Sequence, residues 1–169
     1  MTPLPTAHSN DAGVVGLHHV GMLVEDLSSA AAFYCDAFGY TIESAIIEDT
    51  TQTARLQFFR LPGGQSWLEL ISPLGADSKL ANSLKKNKGL HHLCFEVADI
   101  VVSVEQLRAR GMFPVGLPTP AVAFAGRKIA WFMDWNGWLF EMVETGGPPL
   151  SLKELLASEA KPKASQEPT

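Results

Sequence analysis

Four residues of metal-binding types recur at matching places in the two halves of the chain: His19, Glu69, His92 and Glu141. The histidines belong to a repeated segment, because GLHHV at residues 16–20 returns as GLHHL at residues 89–93, an offset of 73 residues. Glu69 follows His19 by 50 residues, and Glu141 follows His92 by 49. Each half of the chain therefore carries one histidine and one later glutamate at nearly the same spacing.

This repetition points to a metal site. Glu69 and Glu141 both stand between bulky apolar residues in strand-like runs, where a carboxylate is costly to bury unless it is paired or bound to a metal. If the two halves pair edge to edge around a pseudo-twofold axis, their equivalent positions converge. Two imidazoles and two carboxylates form a ligand set that suits divalent Zn, Ni, Co or Fe.

The alternation of side chains along a strand selects the second histidine of each pair as the ligand. His18 and His91 share a strand face with apolar residues, and we expect them to be half-buried side chains packed under a helix. The second histidines share the opposite face with small Gly21 and Cys94. These small neighbours leave room for a bound ligand.

The elements that position these residues also repeat. Asp26 precedes a helical pattern that stops at Gly39, and Asp99 precedes another that stops at Gly111. Further strand-like runs cover residues 54–61, 66–72, 128–134 and 138–143. The coarse interpretation is an α+β protein with the element order β-α-β-β-β, twice.

The predicted boundaries are a single domain at residues 16–145, with module one at 16–75 and module two at 89–145. Modules of about 70 residues are small for independent stability, so we expect one joint fold. Residues 1–12 and 146–169 are predicted to be disordered tails, the second containing a short helix at 151–157.

Composition excludes several classes of function. The net charge of −5 argues against a broad nucleic-acid footprint, and no apolar run approaches the ~20 residues of a membrane-spanning helix. Cys35 and Cys94 match no zinc or redox spacing. We expect a cytoplasmic protein, because the first residues do not have the pattern of a signal peptide.

Residues 16–144 resemble the vicinal oxygen chelate (glyoxalase/bleomycin resistance/dioxygenase) superfamily. Within them, LELISPLGADS at 68–78 and KKNKGLHHLCFEV at 85–97 are most similar to the methylmalonyl-CoA epimerase family. The resemblance implies two tandem βαβββ modules that form a curved mixed sheet around a metal-binding cleft. It also implies one divalent ion per chain (Co, Ni, Zn, Mn or Fe) and the ligands His19, Glu69, His92 and Glu141.

The activity implied by the resemblance is that of a metal-dependent isomerase or lyase that removes a proton next to a carbonyl, with an acyl-CoA epimerase as the best single hypothesis. The substrate would be a small carbonyl compound or an acyl-CoA, and the protein would be a homodimer. Glu141 is the candidate catalytic base, because superfamily members of this type use a last-strand glutamate; a permanent metal ligand without proton transfer is the alternative.

Other members of the superfamily provide competing hypotheses. Glyoxalase I uses the same two-histidine, two-glutamate set. A drug-binding protein of the bleomycin-resistance type would use the cleft without a metal. An extradiol dioxygenase needs two histidines and only one carboxylate, and Glu69 argues against it.

Three further features leave alternatives open. A basic group either holds a CoA phosphate or is a solvated helix end: Lys85, Lys86, Lys88, Arg127 and Lys128. Aromatic residues of the last hairpin line an acyl pocket, form a dimer seam or pack in the core: Trp131, Phe132, Trp135 and Trp138. Residues 114–126, with three prolines and no charged residue, are either a loop over the cleft or a connector.

Overall fold

The computed structural model describes residues 12–86 and 89–146. The predicted tails at 1–11 and 147–169, with the helix at 151–157, lie outside these ranges. Ala12, which was predicted to belong to the first tail, is buried, and its carbonyl accepts a hydrogen bond from the Ser103 hydroxyl. No helix among the described residues is long and apolar enough to cross a membrane.

The two modules have corresponding elements. Module one contains β1 (Val14–Leu23), α1 (Leu27–Phe38), β2 (Thr41–Ile42), β3 (Ile47–Asp49), β4 (Ala54–Arg60) and β5 (Trp67–Pro73). A short helix, α2 (Ala81–Lys86), leads to module two. That module contains β6 (Gly89–Val97), α3 (Ile100–Ala109), β7 (Phe113–Pro114), β8 (Thr119–Pro120), a 3₁₀ turn (Val122–Phe124), β9 (Lys128–Met133) and β10 (Leu139–Glu144).

All of these strands belong to one mixed sheet with the order β2-β4-β5-β1-β6-β10-β9-β7, in which β3 also pairs with β4 and β8 with β9. The modules join through the antiparallel pair β1–β6, and each has one parallel pair, β1–β5 or β6–β10. The sheet curls until β3, at one end, contacts the 3₁₀ turn near the other end. The predicted α+β class with a curved mixed sheet is confirmed.

Both long helices begin where the sequence predicted. The Asp26 carboxylate accepts a hydrogen bond from the backbone N–H of Ser29, and Asp99 caps α3 in the same way. Gly39 ends α1 in the left-handed conformation at φ 73°, and Gly111, at φ 87°, follows the end of α3. These local signals set the direction in which each helix returns across the sheet.

Each helix covers its own module, and a third apolar cluster fills the space where the modules face each other. The α1 cluster contains Leu27, Ala31, Phe59, Leu68 and Leu70. The α3 cluster contains Val97, Ile100, Leu107, Ala130, Phe132 and Met142. The shared cluster includes Leu56, Phe58 and Ile71 from module one and Ala121, Phe124, Ile129 and Val143 from module two.

The strand register places a small residue between each histidine and glutamate. Gly21 on β1 pairs with Glu69 on β5 and with His92 on β6. Cys94 on β6 pairs with His19 on β1 and, on its other side, with the glutamate of β10. Side chains on either side of the small residue can therefore meet above it, as the sequence predicted.

The strand alternation that separated the paired histidines is broken by two β-bulges. The register of β1 against β6 shifts between Leu17 and His19, and again between Gly21 and Met22. The first shift makes His18 an extra residue, and the second does the same for His91. A bulge directs two consecutive side chains toward the same side of a strand. The prediction that the first histidines lie apart from the second was therefore wrong.

We expect Gly21→Ala to displace the His92 ring. A Cβ at this position would lie 2.3 Å from Cε1 and 2.4 Å from Nδ1 of His92, so the variant should lose about 1–3 kcal/mol of unfolding free energy through overpacking. Denaturant titration measures this loss. Gly16→Ala is the control on the same strand, because nothing lies within 4 Å of its Cβ; equal effects of the two changes would contradict the close packing.

Candidate metal centre

The two second histidines of the repeat meet at the junction of the modules. The Nε2 atoms of His19 and His92 lie 2.9 Å apart. His19 has no exposed surface, and His92 is 2% exposed. Because β1 and β6 run antiparallel, the two side chains reach this point from opposite directions along the central strand pair.

Glu69 and Glu141 complete the cluster from the neighbouring strands. One carboxylate oxygen of Glu69 lies 3.4 Å from His19 Nε2 and 3.5 Å from His92 Nε2. One oxygen of Glu141 lies 3.2 Å and 3.4 Å from the same two nitrogens. Both glutamates are buried. The structure therefore brings together all four side chains that the sequence predicted.

The spacing of these atoms fits a bound divalent ion. An ion about 2.1 Å from each ligand atom holds neighbouring ligand atoms about 3.0 Å apart in an octahedron and about 3.4 Å apart in a tetrahedron. The measured separations run from 2.9 to 3.5 Å. Two buried carboxylates also supply the charge that a divalent cation would neutralise.

The electrostatics of the cluster also favour a cation. Burial alone would lower the pKa of His19, but the nearby Cys94 and Glu69 raise that pKa well above the ordinary 6.5. Burial alone would raise the pKa of Glu141, but its hydrogen bonds to His19 and His92 hold that pKa well below the usual range. The cluster therefore keeps the buried Glu141 side chain ionised and favours a positive charge on the His19 ring.

The first histidines of the repeat form a second layer behind the cluster. His18 Nδ1 lies 2.9 Å from His19 Nδ1, and His91 Nδ1 lies 2.9 Å from His92 Nδ1. Burial, followed by the charge of the neighbouring histidine, lowers the pKa of His18 to about 3 and that of His91 to about 4. Both second-layer rings are therefore neutral at ordinary pH.

His18, His19 and Cys94 also have ligand-type atoms within 4.8 Å of one another. This group is a poorer metal site than the two-histidine, two-glutamate cluster. Burial raises the pKa of the Cys94 thiol, and it is the thiolate that binds metals. In addition, the Nδ1 atoms of the two histidines contact each other.

A small cavity of about 60 Å³ opens next to the cluster. It is lined by Glu69, His91, His92 and Glu141, by the polar residues Asp49 and Gln52, and by a mostly apolar wall of Ala54, Leu56, Ile71, Leu80, Ala121, Ala123, Phe124, Ile129 and Trp131. An apolar wall excludes water and strengthens electrostatic interactions inside the cavity. The cavity holds a group of a few atoms rather than a whole nucleotide.

Sequence reasoning missed part of this lining. Asp49 is buried, and its carboxylate accepts a hydrogen bond from the backbone N–H of Gln52 in a turn that ends at Thr53, a non-glycine residue with φ 54°. A lone aspartate before a polar TTQT segment resembles an ordinary turn, so only the strained backbone marks it. Of residues 114–126, Ala121, Ala123 and Phe124 line the cavity, at and beside the 3₁₀ turn.

The aromatic residues of the last hairpin lie in three different environments: the core, the cavity and the surface. Phe132 is fully buried in the core, and Trp131 lines the cavity, where its indole Nε1 has no hydrogen-bond partner among the described residues. Trp135 and Trp138 are 78% and 54% exposed.

The basic residues that could hold a phosphate lie in different parts of the structure. Lys85 and Lys86 end α2, and Lys86 lines a surface groove beside His91. Arg127 donates hydrogen bonds to the Phe124 and Glu144 carbonyls, and Lys88 lies outside the described residues.

Comparison with known proteins agrees with this architecture. The sequence profile of the Glyoxalase/Bleomycin resistance protein/Dioxygenase superfamily matches residues 18–131. The ethylmalonyl-CoA/methylmalonyl-CoA epimerase of Cereibacter sphaeroides is 33% identical over 130 residues, which cover 75% of this chain and 95% of that protein.

Two solved structures are similar over most of their length. Methylmalonyl-CoA epimerase from Mycobacterium tuberculosis has a TM-score of 0.72 and 27% identity, covering 93% of this chain and 97% of its own. A variant of the Streptomyces coelicolor methylmalonyl-CoA epimerase in complex with 2-nitronate-propionyl-CoA has a TM-score of 0.70 and 25% identity, covering 79% and 99%.

Replacing Glu69 tests the cluster as a metal site. Glu69→Gln keeps an oxygen but removes the charge, and Glu69→Ala removes both, so metal affinity should fall from the original protein to Gln and again to Ala. Competition with a chromogenic chelator measures the affinity. Glu48→Gln, on the exposed Glu48–Arg55 pair, is the control. Unchanged affinity in both Glu69 variants would instead favour a site of two histidines and one carboxylate.

Proposed function

The chain belongs to the glyoxalase/bleomycin resistance/dioxygenase superfamily, and we propose that it is a divalent-metal-dependent epimerase of acyl-CoA thioesters, with methylmalonyl-CoA as the first substrate to test. The observation that carries the proposal is the buried two-histidine, two-glutamate cluster beside a small cavity. The epimerase relative supports it, because the similarity extends over 95% of that protein's length.

The proposed ligands are His19, Glu69, His92 and Glu141. When bound, a divalent ion supplies Lewis-acid stabilisation to an oxygen of the substrate, which increases the acidity of the neighbouring C–H. The chain itself supplies the apolar wall of Leu56, Ile71, Ala121, Phe124 and Ile129. This wall keeps water away from the reacting carbon.

Glu141 is the proposed base on the module-two side. Its low pKa leaves it as a carboxylate that can accept the α-proton. The resulting enolate is planar at the α-carbon, so inversion requires a proton to be delivered to the opposite face. A second acid/base group on the other wall of the cavity completes the reaction.

Asp49 is the proposed second group. Of the three carboxylates that line the cavity, Glu69 and Glu141 contact the imidazoles, and Asp49 is the remaining one. It lies at the end of β3 in module one, whereas Glu141 lies on β10 in module two. The two residues therefore stand on parts of the sheet that the curl brings face to face.

The size of the cavity suits the acyl end of the substrate. A volume of about 60 Å³ admits a few atoms, so the remainder of CoA would lie outside. Lys86 lines a neighbouring surface groove with Ser83, Leu90 and His91. We propose that this groove carries the CoA chain, with Lys85 and Lys86 near its phosphates. The unpartnered indole N–H of Trp131 is a candidate donor to the acyl group.

The proposal includes one divalent ion per chain (Co, Ni, Zn, Mn or Fe), a homodimer and a cytoplasmic location. Both cysteines are free, as expected in a reducing compartment. The exposed Trp135 and Trp138 provide apolar surface for a dimer. A glyoxalase I-like lyase has the same ligand set, and conversion of a methylglyoxal–glutathione hemithioacetal in place of the acyl-CoA would favour it.

Metal-loaded protein should exchange the α-proton of methylmalonyl-CoA in heavy water, because epimerisation removes that proton. Mass spectrometry follows the gain of deuterium. Glu141→Gln should lose exchange, since the base is removed; if it loses metal without slowing a metal-corrected rate, Glu141 is only a ligand. Absence of exchange with each of the five metals would reject this substrate.

Asp49→Asn separates the two proton transfers. The amide keeps the oxygen that accepts the Gln52 N–H, so the turn should remain folded. We expect epimerisation to fall about 10²–10⁴-fold, while deuterium exchange of one epimer continues without inversion. Chiral chromatography of the product distinguishes these outcomes. Asp36→Asn on exposed α1 is the control, and undiminished epimerisation in Asp49→Asn would exclude Asp49.

A further inference from the structure

The contacts between neighbouring histidines carry an inference beyond the ligand set. His18 meets His19 through Nδ1 atoms 2.9 Å apart, and His91 meets His92 in the same way at 2.9 Å. In both pairs the Nε2 atom of the second histidine points to the carboxylate cluster. The same arrangement has therefore formed twice, once in each module.

The hydrogen atoms of these rings follow from their chemistry. A neutral imidazole carries one N–H, and a metal binds the nitrogen that lacks it. If Nε2 of His19 binds the ion, its hydrogen is on Nδ1, and the nearest acceptor is Nδ1 of His18. That acceptor must be unprotonated, so the hydrogen of His18 is on Nε2.

We propose that His18 and His91 are positioning residues that accept the Nδ1–H of His19 and His92 and so hold both ligand rings in the tautomer that directs a free Nε2 lone pair at the metal. The inference rests on the metal site of the proposed function. It does not depend on which substrate the enzyme accepts.

The backbone is arranged for these contacts. Both first histidines are the extra residues of β-bulges, which turn them to the side of their neighbours. A regular strand would direct His18 and His19 to opposite faces. The two bulges lie at equivalent places in the modules. Each of them brings a second imidazole into contact with a proposed ligand histidine.

The choice of histidine as acceptor has an electrostatic consequence. Metal-bound histidines commonly donate their other N–H to a carboxylate, a carbonyl or water. A carboxylate would add negative charge to a site that already contains Glu69 and Glu141. A neutral imidazole would orient the ring without adding charge, and a bound ion would then be the stronger Lewis acid.

His18 lies in mostly apolar surroundings. Its Nε2 is buried and has no hydrogen-bond partner among the described residues, and its ring is surrounded by Trp67 and Phe124. A buried polar atom without a partner is unfavourable. A histidine confined to packing would be replaced at lower cost by an apolar side chain, so the Nδ1 contact explains its presence.

Two variants of matched shape test the role. Asn Oδ1 and Leu Cδ1 occupy the place of His Nδ1, one bond beyond Cγ, but only Asn accepts a hydrogen bond. His18→Leu should weaken zinc binding about 10–100-fold, and His18→Asn should restore most of the affinity. His91→Leu and His91→Asn should behave in the same order. Chelator competition measures affinity, and thermal unfolding of metal-free protein measures stability.

A purely structural role predicts a different pattern. Zinc affinity would then change in parallel with the thermal stability of the metal-free protein, and the Asn and Leu variants would bind zinc equally well. That result would overturn the proposal. Nitrogen-15 NMR of the zinc-loaded protein provides a direct readout: the protonated Nδ1 should belong to His19 and be coupled to Nδ1 of His18. A proton on His18 Nδ1 would also overturn it, as would a protein that binds no zinc. Zinc binding without epimerisation would reject only the proposed substrate.

Discussion

The antiparallel pairing of β1 with β6 is the interaction on which the rest of the structure depends. It joins the modules, and its register sets Gly21 opposite His92 and Cys94 opposite His19. The parallel strands β5 and β10 then add one glutamate to each side. A slip of one residue in this pair would send the side chains to the wrong faces and separate the cluster.

Burying two carboxylates and two imidazoles would be unfavourable if each group were alone. The close contacts between them compensate for part of this cost. One oxygen of each carboxylate lies within 3.5 Å of both Nε2 atoms, so charge and hydrogen-bonding capacity are concentrated at one point. Apolar residues of the cluster formed by both modules line the cavity beside that point. The same low-polarity environment that makes the group costly to assemble also strengthens its attraction for a cation.

Local signals account for the parts of the fold that the sequence predicted well. Asp26 and Asp99 begin helices because a carboxylate can accept hydrogen bonds from the N–H groups of the first helical turn, whatever the tertiary context. The repeat predicted Glu69 and Glu141 because equivalent positions in paired modules converge. The histidine pairs were predicted less well, because strand alternation assumes a regular ladder and both pairs lie at bulges.

The sequence by itself determined the first strand, the long helix and the last two strands of each module, and the four residues that meet at the centre, since these follow from short-range periodicity and from repetition. It did not predict the short strands β2, β3, β7 and β8 or the helix α2. Only the tertiary structure decided that Asp49 and Phe124, from opposite modules, line one cavity. It alone also decided that His18 and His91 stand behind the ligands. The physical reason is that these distances depend on how far the sheet curls and where its register slips, which are sums over many weak contacts rather than properties of any local segment.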